Sequence, residues 1–255
     1  MTGSRPAAAQ DPLDVLVRRA AQGDGAAFAR VVRLHNEEMT RIAFVILGDP
    51  DAAAGATEAA WFDAWRGLRR KGASTALGAW LCSRTAAEAT GLAKRRDARS
   101  GAALELADRP NDLPPAPSAD LAADEPLMSA LARLDAEDRA LLALRHVAGL
   151  SMAEVGQAVR RSRPPVDVRL ARLTEDVGGL VAPGSDPDEL DGLLARRLRA
   201  YADAPVRQVD ADATARKARA EASLERTRVV SVALSAVVGA LVAAHPYLAG
   251  LFFGR

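Results

Sequence analysis

Five arginines cluster between positions 160 and 172 of this 255-residue chain, and a single acidic residue, Asp167, interrupts them. A guanidinium group forms paired hydrogen bonds with phosphate oxygens and with the edge of guanine, so such a cluster is typical of a nucleic-acid-binding surface. A shorter basic run lies at positions 94–96, where it is either a solvated helix end or a second phosphate-binding stripe. The two groups are Arg160, Arg161, Arg163, Arg169 and Arg172, and Lys94, Arg95 and Arg96.

The chain lacks the residue patterns of common catalytic and metal sites. Cys82 is its only cysteine, and the three histidines, at positions 35, 146 and 245, are far apart in sequence. No cysteine or histidine pair therefore has the spacing of a zinc site. No glycine-rich phosphate loop and no nucleophile motif occurs. We predict a protein that is not an enzyme and that has no catalytic residues, no metal site and no cofactor.

The arginine cluster falls within a pattern of three consecutive helices. Residues 136–147 have the apolar spacing of an amphipathic helix. Ser151 and Glu154 then form the sequence of a capping box, which opens a short second helix, and Ser162 is placed to cap a third. This is the order of a helix-turn-helix, whose last helix enters the DNA major groove. We therefore expect the arginines to lie on or beside a recognition helix.

The N-terminal part of the chain is also predicted to be helical, so the expected fold class is all-α. Helical spacing covers residues 26–47, 51–68 and 75–94. In the second of these helices, Trp61 and Trp65 share one face. Core packing is the simpler interpretation of both tryptophans.

Composition divides the chain into five segments. Residues 11–99 and 127–178 are predicted to form two small helical domains. Residues 100–126 are rich in Pro, Ala and Asp, and of residues 101–126 six are acidic and one is basic, which is typical of a flexible acidic linker. Residues 179–228 form a juxtamembrane segment, and residues 229–253 form a predicted transmembrane helix.

The segment 229–253 contains no Asp, Glu, Lys or Arg, and its 25 residues are enough to cross a bilayer as a helix. A further helix is predicted at about 188–202, ahead of this apolar run. Basic residues are more numerous before the run than after it, and no secretory signal sequence occurs at the N-terminus. We therefore expect a single-pass C-terminal anchor, with the N-terminal body on the cytoplasmic side of the cell membrane.

Residues 134–173 resemble the promoter-binding C-terminal domain of bacterial RNA polymerase sigma factors of the extracytoplasmic-function type. The resemblance implies that this part of the chain binds the −35 promoter element through the five arginines and Asp167. The matching residues are Leu134, Arg139, Leu144, Arg145, Gly149, Leu150, Ser151, Glu154, Val155, Ser162, Val166, Arg169, Leu170 and Arg172.

Residues 11–99 are similar to the N-terminal domain of the same family. The matching residues include Phe28, His35, Gly48, Asp49, Asp51, Trp65, Leu68 and Trp80. The resemblance implies that this domain binds core RNA polymerase and the −10 promoter element, and it allows an anti-sigma factor as a further partner. The implied polymerase contacts are Asp51, Glu58, Trp61 and Trp65, and the implied DNA contacts are Lys94, Arg95 and Arg96.

Two departures from the family pattern leave other functions open. The family's acidic pair and Gln before the tryptophan helix are replaced by Ala54, Gly55 and Glu58, and the lysine of its recognition helix is Asp167. We expect either a membrane-tethered sigma factor that directs transcription initiation, or a degenerate sigma-like protein that binds polymerase or a regulator without promoter recognition. An unrelated helical membrane adaptor is a third interpretation.

The apolar C-terminal segment generates a direct prediction. The full-length chain should sediment with membranes and resist extraction by carbonate or high salt, because about 25 apolar residues are buried in the bilayer. A chain that ends at Glu225 should stay in the supernatant of the same fractionation. Recovery of the full-length protein in the soluble fraction would show that the anchor does not exist.

Overall fold

The computed structural model describes residues 12–71, 77–106, 124–159, 166–203, 210, 212–217 and 220. Within those ranges the regular elements are helices and there is no strand, which confirms the all-α prediction. The helices are α1 (Pro12–Ala21), α2 (Gly25–Leu47), α3 (Pro50–Lys71), α4 (Leu77–Leu106), α5 (Glu125–Arg133), α6 (Ala136–Leu142), α7 (Met152–Ala158), α8 (Val166–Val181) and α9 (Pro187–Ala202). A π-helical turn, Ala143–Val147, continues α6.

Capping residues at both ends of α2 explain where this helix begins and ends. Asp24 accepts hydrogen bonds from the backbone N–H groups of Ala26 and Ala27 and so caps the helix. At the other end Gly48 has φ 65° and donates its N–H to the carbonyl oxygen of Phe44. This left-handed conformation is one that glycine adopts without steric strain. The helix predicted from spacing at 26–47 is therefore confirmed within one residue.

The helix predicted at 75–94 is longer than expected. It runs as α4 to Leu106, so residues 100–106, which were predicted to begin the acidic linker, are helical. Alanine, leucine and glutamate dominate this extension, and all three have high helix propensity. The last three residues of the predicted linker are also ordered into a helix start, because Asp124 caps α5 and Glu125 begins it. Residues 107–123, between these two parts, lie outside the described residues.

Helix α2 lies at the centre of the structure and belongs to two hydrophobic clusters. Its N-terminal half, including Phe28 and Val31, packs with α1, α3 and the start of α4. In its C-terminal half, the five consecutive residues from Ile42 to Ile46 are all buried. A helix that is apolar on every side needs neighbours on every side. Those neighbours are α3, α4, α6, the π-helical turn and α9.

The second cluster joins the two segments that composition separates. It contains residues of α2, α3 and α4 together with residues of α5 to α9. The ring of Tyr201 stacks on Phe44 with centroids 5.0 Å apart, and Ser83 on α4 donates to the carbonyl oxygen of Ala158 on α7 at 3.5 Å. Cys82 is buried at this junction, and burial raises the pKa of its thiol to about 12. The division into domains stays a prediction, but the described parts of both segments share one core.

Trp61 and Trp65 are core residues, with 0% and 2% of their surface exposed. The ring of Phe28 contacts both, at centroid distances of 5.8 and 4.7 Å. The indole N–H of Trp61 donates to the side-chain oxygen of the buried Asn36 at 3.1 Å. The core-packing interpretation is confirmed. Neither indole ring is exposed on the surface of this fold, and the expected polymerase contacts at these two positions stay a prediction.

Among the described residues, no helix is both long enough and apolar enough to span a membrane. The segment predicted to do so, 229–253, lies outside the described residues, and the anchor stays a prediction.

Two glycines of α3 test the packing of the N-terminal bundle. A Cβ at Gly67 would lie 2.7 Å from the ring of Trp80, whereas a Cβ at Gly55 would meet nothing within 4 Å. Alanine is favoured over glycine inside a helix by about 1 kcal/mol, so Gly55→Ala should stabilise the fold by up to that amount. Gly67→Ala should destabilise it by about 1–3 kcal/mol because the indole ring must move. Urea unfolding followed by circular dichroism measures both, and stabilisation of similar size in the two variants would contradict this packing.

Candidate functional site

Local hydrogen bonds organise the chain between α6 and α7, within the predicted helix-turn-helix. The side chain of Ser151 accepts from the N–H of Glu154, and the carboxylate of Glu154 accepts from the N–H of Ser151 at 2.8 Å, which confirms the predicted capping box. Gly149, with φ 65°, makes the turn before α7. Arg145 donates to the carbonyl oxygen of Leu150 at 3.1 Å and holds that turn in place. The helices α6, α7 and α8 follow one another in the order expected for the predicted helix-turn-helix. Residues 160–165, which connect α7 to α8, lie outside the described residues.

The described solvent face of α8 carries more acidic than basic groups. Its exposed charged residues are Asp167, Arg172, Glu175 and Asp176. Phosphate repels carboxylates, so this face by itself is a poor electrostatic match for DNA. Three of the predicted DNA contacts and the predicted cap of this helix lie outside the described residues. They are Arg160, Arg161, Arg163 and Ser162.

Arg169 does not point freely into solvent. Its guanidinium donates to Asp138 at 2.5 Å and to Asp135 at 3.3 Å, and it lies 3.9 Å from Glu137. The hydrogen bond to Asp138 is the main reason why the pKa of Arg169 is raised. These carboxylates belong to the N-terminal end of α6, where negative charge is favoured by the helix dipole. Arg169 therefore connects α8 to α6, a role that sequence spacing alone did not indicate.

The basic run of α4 is exposed but largely paired. Lys94 forms an ion pair with Glu137 at 2.5 Å, and Arg96 forms one with Asp49 at 3.1 Å. Arg95 forms no ion pair with the described part of the chain. Among the predicted DNA contacts that the structure describes, Arg95 and Arg172 are the two cations without a carboxylate partner in the described ranges.

One face of α3 presents the remaining predicted polymerase contacts. Asp51 and Gly55 are exposed, and Glu58 follows them one turn further along the same face. The Glu58 side chain is 29% exposed, and it accepts from the ammonium group of Lys217 at 2.5 Å. Lys217 belongs to a short segment, residue 210 with residues 212–217, which we call the C-terminal clasp. In the sequence, Lys217 indicated only a basic flank ahead of the membrane.

A cleft of about 340 Å³ lies beside α8. Arg145, His146, Asp167 and Asp191 are among its lining residues. Burial lowers the pKa of His146, and its Nε2 lies 3.9 Å from the Asp191 carboxylate, too far for a hydrogen bond. The walls of this cleft thus carry charges of both signs. Among the residues described, no group of His, Cys, Asp and Glu is arranged to hold a metal ion.

Comparison with models of known protein families gives no match, and comparison with curated proteins finds no relative.

Arg169 and Arg172 lie almost one turn apart on α8 and offer a matched pair of variants. Arg169→Gln removes charge-assisted hydrogen bonds and leaves Asp135, Glu137 and Asp138 close to one another, so we expect a loss of about 1–2 kcal/mol in the free energy of unfolding. Arg172→Gln removes the same charge from an exposed position and should change stability by less than about 0.5 kcal/mol. Chemical denaturation of both variants measures the difference. Equal stability would show that the Arg169 contacts do not support the fold.

Proposed function

We propose that this protein is a membrane-tethered, sigma-factor-like regulator of transcription initiation, which binds core RNA polymerase and promoter DNA. The observation that carries the proposal is the helix-turn-helix itself. Its capping box at Ser151 and Glu154 and its left-handed turn at Gly149 occur in the described fold at the positions where the sequence resembles the promoter-binding domain.

The charge distribution supports separate binding surfaces for polymerase and for DNA. The face of α3 with Asp51, Gly55 and Glu58 is the candidate for contact with polymerase. Among the predicted DNA contacts in the described ranges, Arg172 on α8 and Arg95 on α4 are the cations that DNA phosphates can reach without displacing a carboxylate. Because phosphate neutralisation releases counterions, even a few such contacts produce measurable affinity.

A second function, an interaction protein without promoter recognition, is favoured by a specific observation. Arg169 is held by three carboxylates, and the described outer face of α8 bears Asp167, Glu175 and Asp176 against Arg172 alone. A helix with this balance binds DNA only if its arginines outside the described ranges outweigh its acids. The two functions differ in DNA binding, and the interaction protein binds either polymerase or another regulator.

Charge variants on α8 separate the two functions. In full-length protein held in detergent, Arg172→Gln should weaken binding to duplex DNA and reduce the slope of log affinity against log salt by about one. Asp167→Lys should strengthen binding, because an attractive charge replaces a repulsive one. Arg30→Gln, which removes the same charge from an exposed position on α2, is the control. Fluorescence anisotropy across a salt series measures all three.

The outcomes assign the function. The sigma-like regulator is supported if the protein binds core polymerase and its DNA affinity responds to both α8 variants but not to the control. Polymerase binding with DNA affinity that is indifferent to α8 supports the interaction protein. Absence of polymerase binding and of any α8 effect would reject the sigma-like regulator and leave an interaction protein that binds another regulator, or the helical adaptor.

A further inference from the structure

The C-terminal clasp returns to the N-terminal bundle and packs against it. The side chain of Asp210 accepts from the N–H groups of Asp212 and Ala213 at 2.8 and 3.1 Å, which starts a helical turn. Thr214 and Ala215 are 1% and 4% exposed. Ala215 belongs to the hydrophobic cluster formed by α1, α2, α3 and the start of α4.

Two ion pairs hold the clasp across α2 and α3. Asp212 pairs with Arg33 on α2 at 3.2 Å, and Lys217 pairs with Glu58 on α3 at 2.5 Å. The partners are 179 and 159 residues apart in sequence, so these contacts arise from the tertiary fold and not from local chain geometry. The Lys217 pair places the clasp on the α3 face that also presents Asp51 and Gly55.

We propose that the C-terminal clasp masks the Glu58 end of the polymerase-binding face of α3, while Asp51 and Gly55 stay exposed, and that it must open before core polymerase binds the whole face. This inference rests on the polymerase binding proposed above. In the closed state the carboxylate of Glu58 is occupied by Lys217 and is not available to a partner. The residues that follow the clasp lead to the predicted membrane segment, so the state of the clasp connects the tether with the face that polymerase uses.

The contacts of the clasp suit a reversible mask. Exposed ion pairs stabilise a fold only slightly, and the described part of the clasp buries two small side chains, Thr214 and Ala215. The hydroxyl of Thr214 is buried and has no hydrogen-bond partner in the described part of the chain, which favours opening because water satisfies it in the open state. Such a segment opens locally without unfolding the rest of the protein.

Lys217→Glu tests the mask and leaves the α3 face unchanged. It places two like charges together at Glu58 and should raise the open fraction of the clasp roughly two- to fivefold, the range expected for an exposed pair. Since apparent affinity scales with the competent fraction, core polymerase should bind more tightly by the same factor. Arg196→Glu is the control, because it makes the same charge change at an exposed position of α9, outside the clasp, that has no ion pair with the described part of the chain.

Two measurements on the full chain in detergent are compared. Hydrogen exchange of the clasp amides reports opening, including the Thr214 amide, whose N–H donates to the carbonyl oxygen of Asp210. Titration with core polymerase reports affinity. Ala215→Asp, which brings a charge into the apolar cluster, should open the clasp about tenfold or more. Combining Lys217→Glu with Glu58→Lys should restore slow exchange.

Faster exchange together with tighter polymerase binding supports the mask. Faster exchange with unchanged affinity would overturn it while leaving polymerase binding in place. Unprotected clasp amides in the unmodified protein would also overturn it, because no closed state would exist. If neither the unmodified chain nor Ala215→Asp binds polymerase, the proposed polymerase binding fails and the mask fails with it.

Discussion

The five consecutive buried residues from Ile42 to Ile46 require apolar neighbours around the whole circumference of α2, and this requirement brings the two halves of the chain together. Helices α3 and α4 cover part of that surface. The rest is covered by α6, the π-helical turn and α9, which come from the C-terminal half. This arrangement determines where α6, α7 and α8 lie. It also determines where the chain leaves α9 towards the clasp. A small N-terminal bundle without the second half would expose this part of α2 to water.

Much of this structure is readable from the sequence. The helix at 26–47, the capping box at Ser151 and Glu154 and the helix near 188–202 each follow from local rules of spacing and capping, which depend on residues within a few positions of one another. The shared core does not follow from such rules. The sequence signal of the shared core is the unbroken apolar run from Ile42, which is too apolar for a helix with a solvent face. Which helices cover this run depends on long-range packing.

The candidate site was less predictable than the fold for the same reason. Residue type indicated a cluster of cations, but which partner each described cation has depends on carboxylates that are distant in sequence. Arg169 meets Asp138 across 31 residues and Lys217 meets Glu58 across 159. For the two tryptophans, by contrast, residue type was enough to predict the environment. Large aromatic side chains on one helical face are most often core, and Trp61 and Trp65 are core.

For the cations that are proposed to contact DNA, internal carboxylates would compete with phosphates, and burial decides which partner each cation can take. Lys94 and Arg96 form ion pairs in which both side chains are at least 41% exposed. Such pairs are weak and screened by salt, so the dense charge of DNA can displace the carboxylate. The Arg169 and Asp138 side chains are only 23% and 18% exposed, and separating them would leave poorly solvated charges. Among the described cations proposed to contact DNA, Arg95 and Arg172 are therefore available to phosphate directly. Lys94 and Arg96 become available when phosphate replaces their carboxylate partners. Arg169 stays with its carboxylates in the fold.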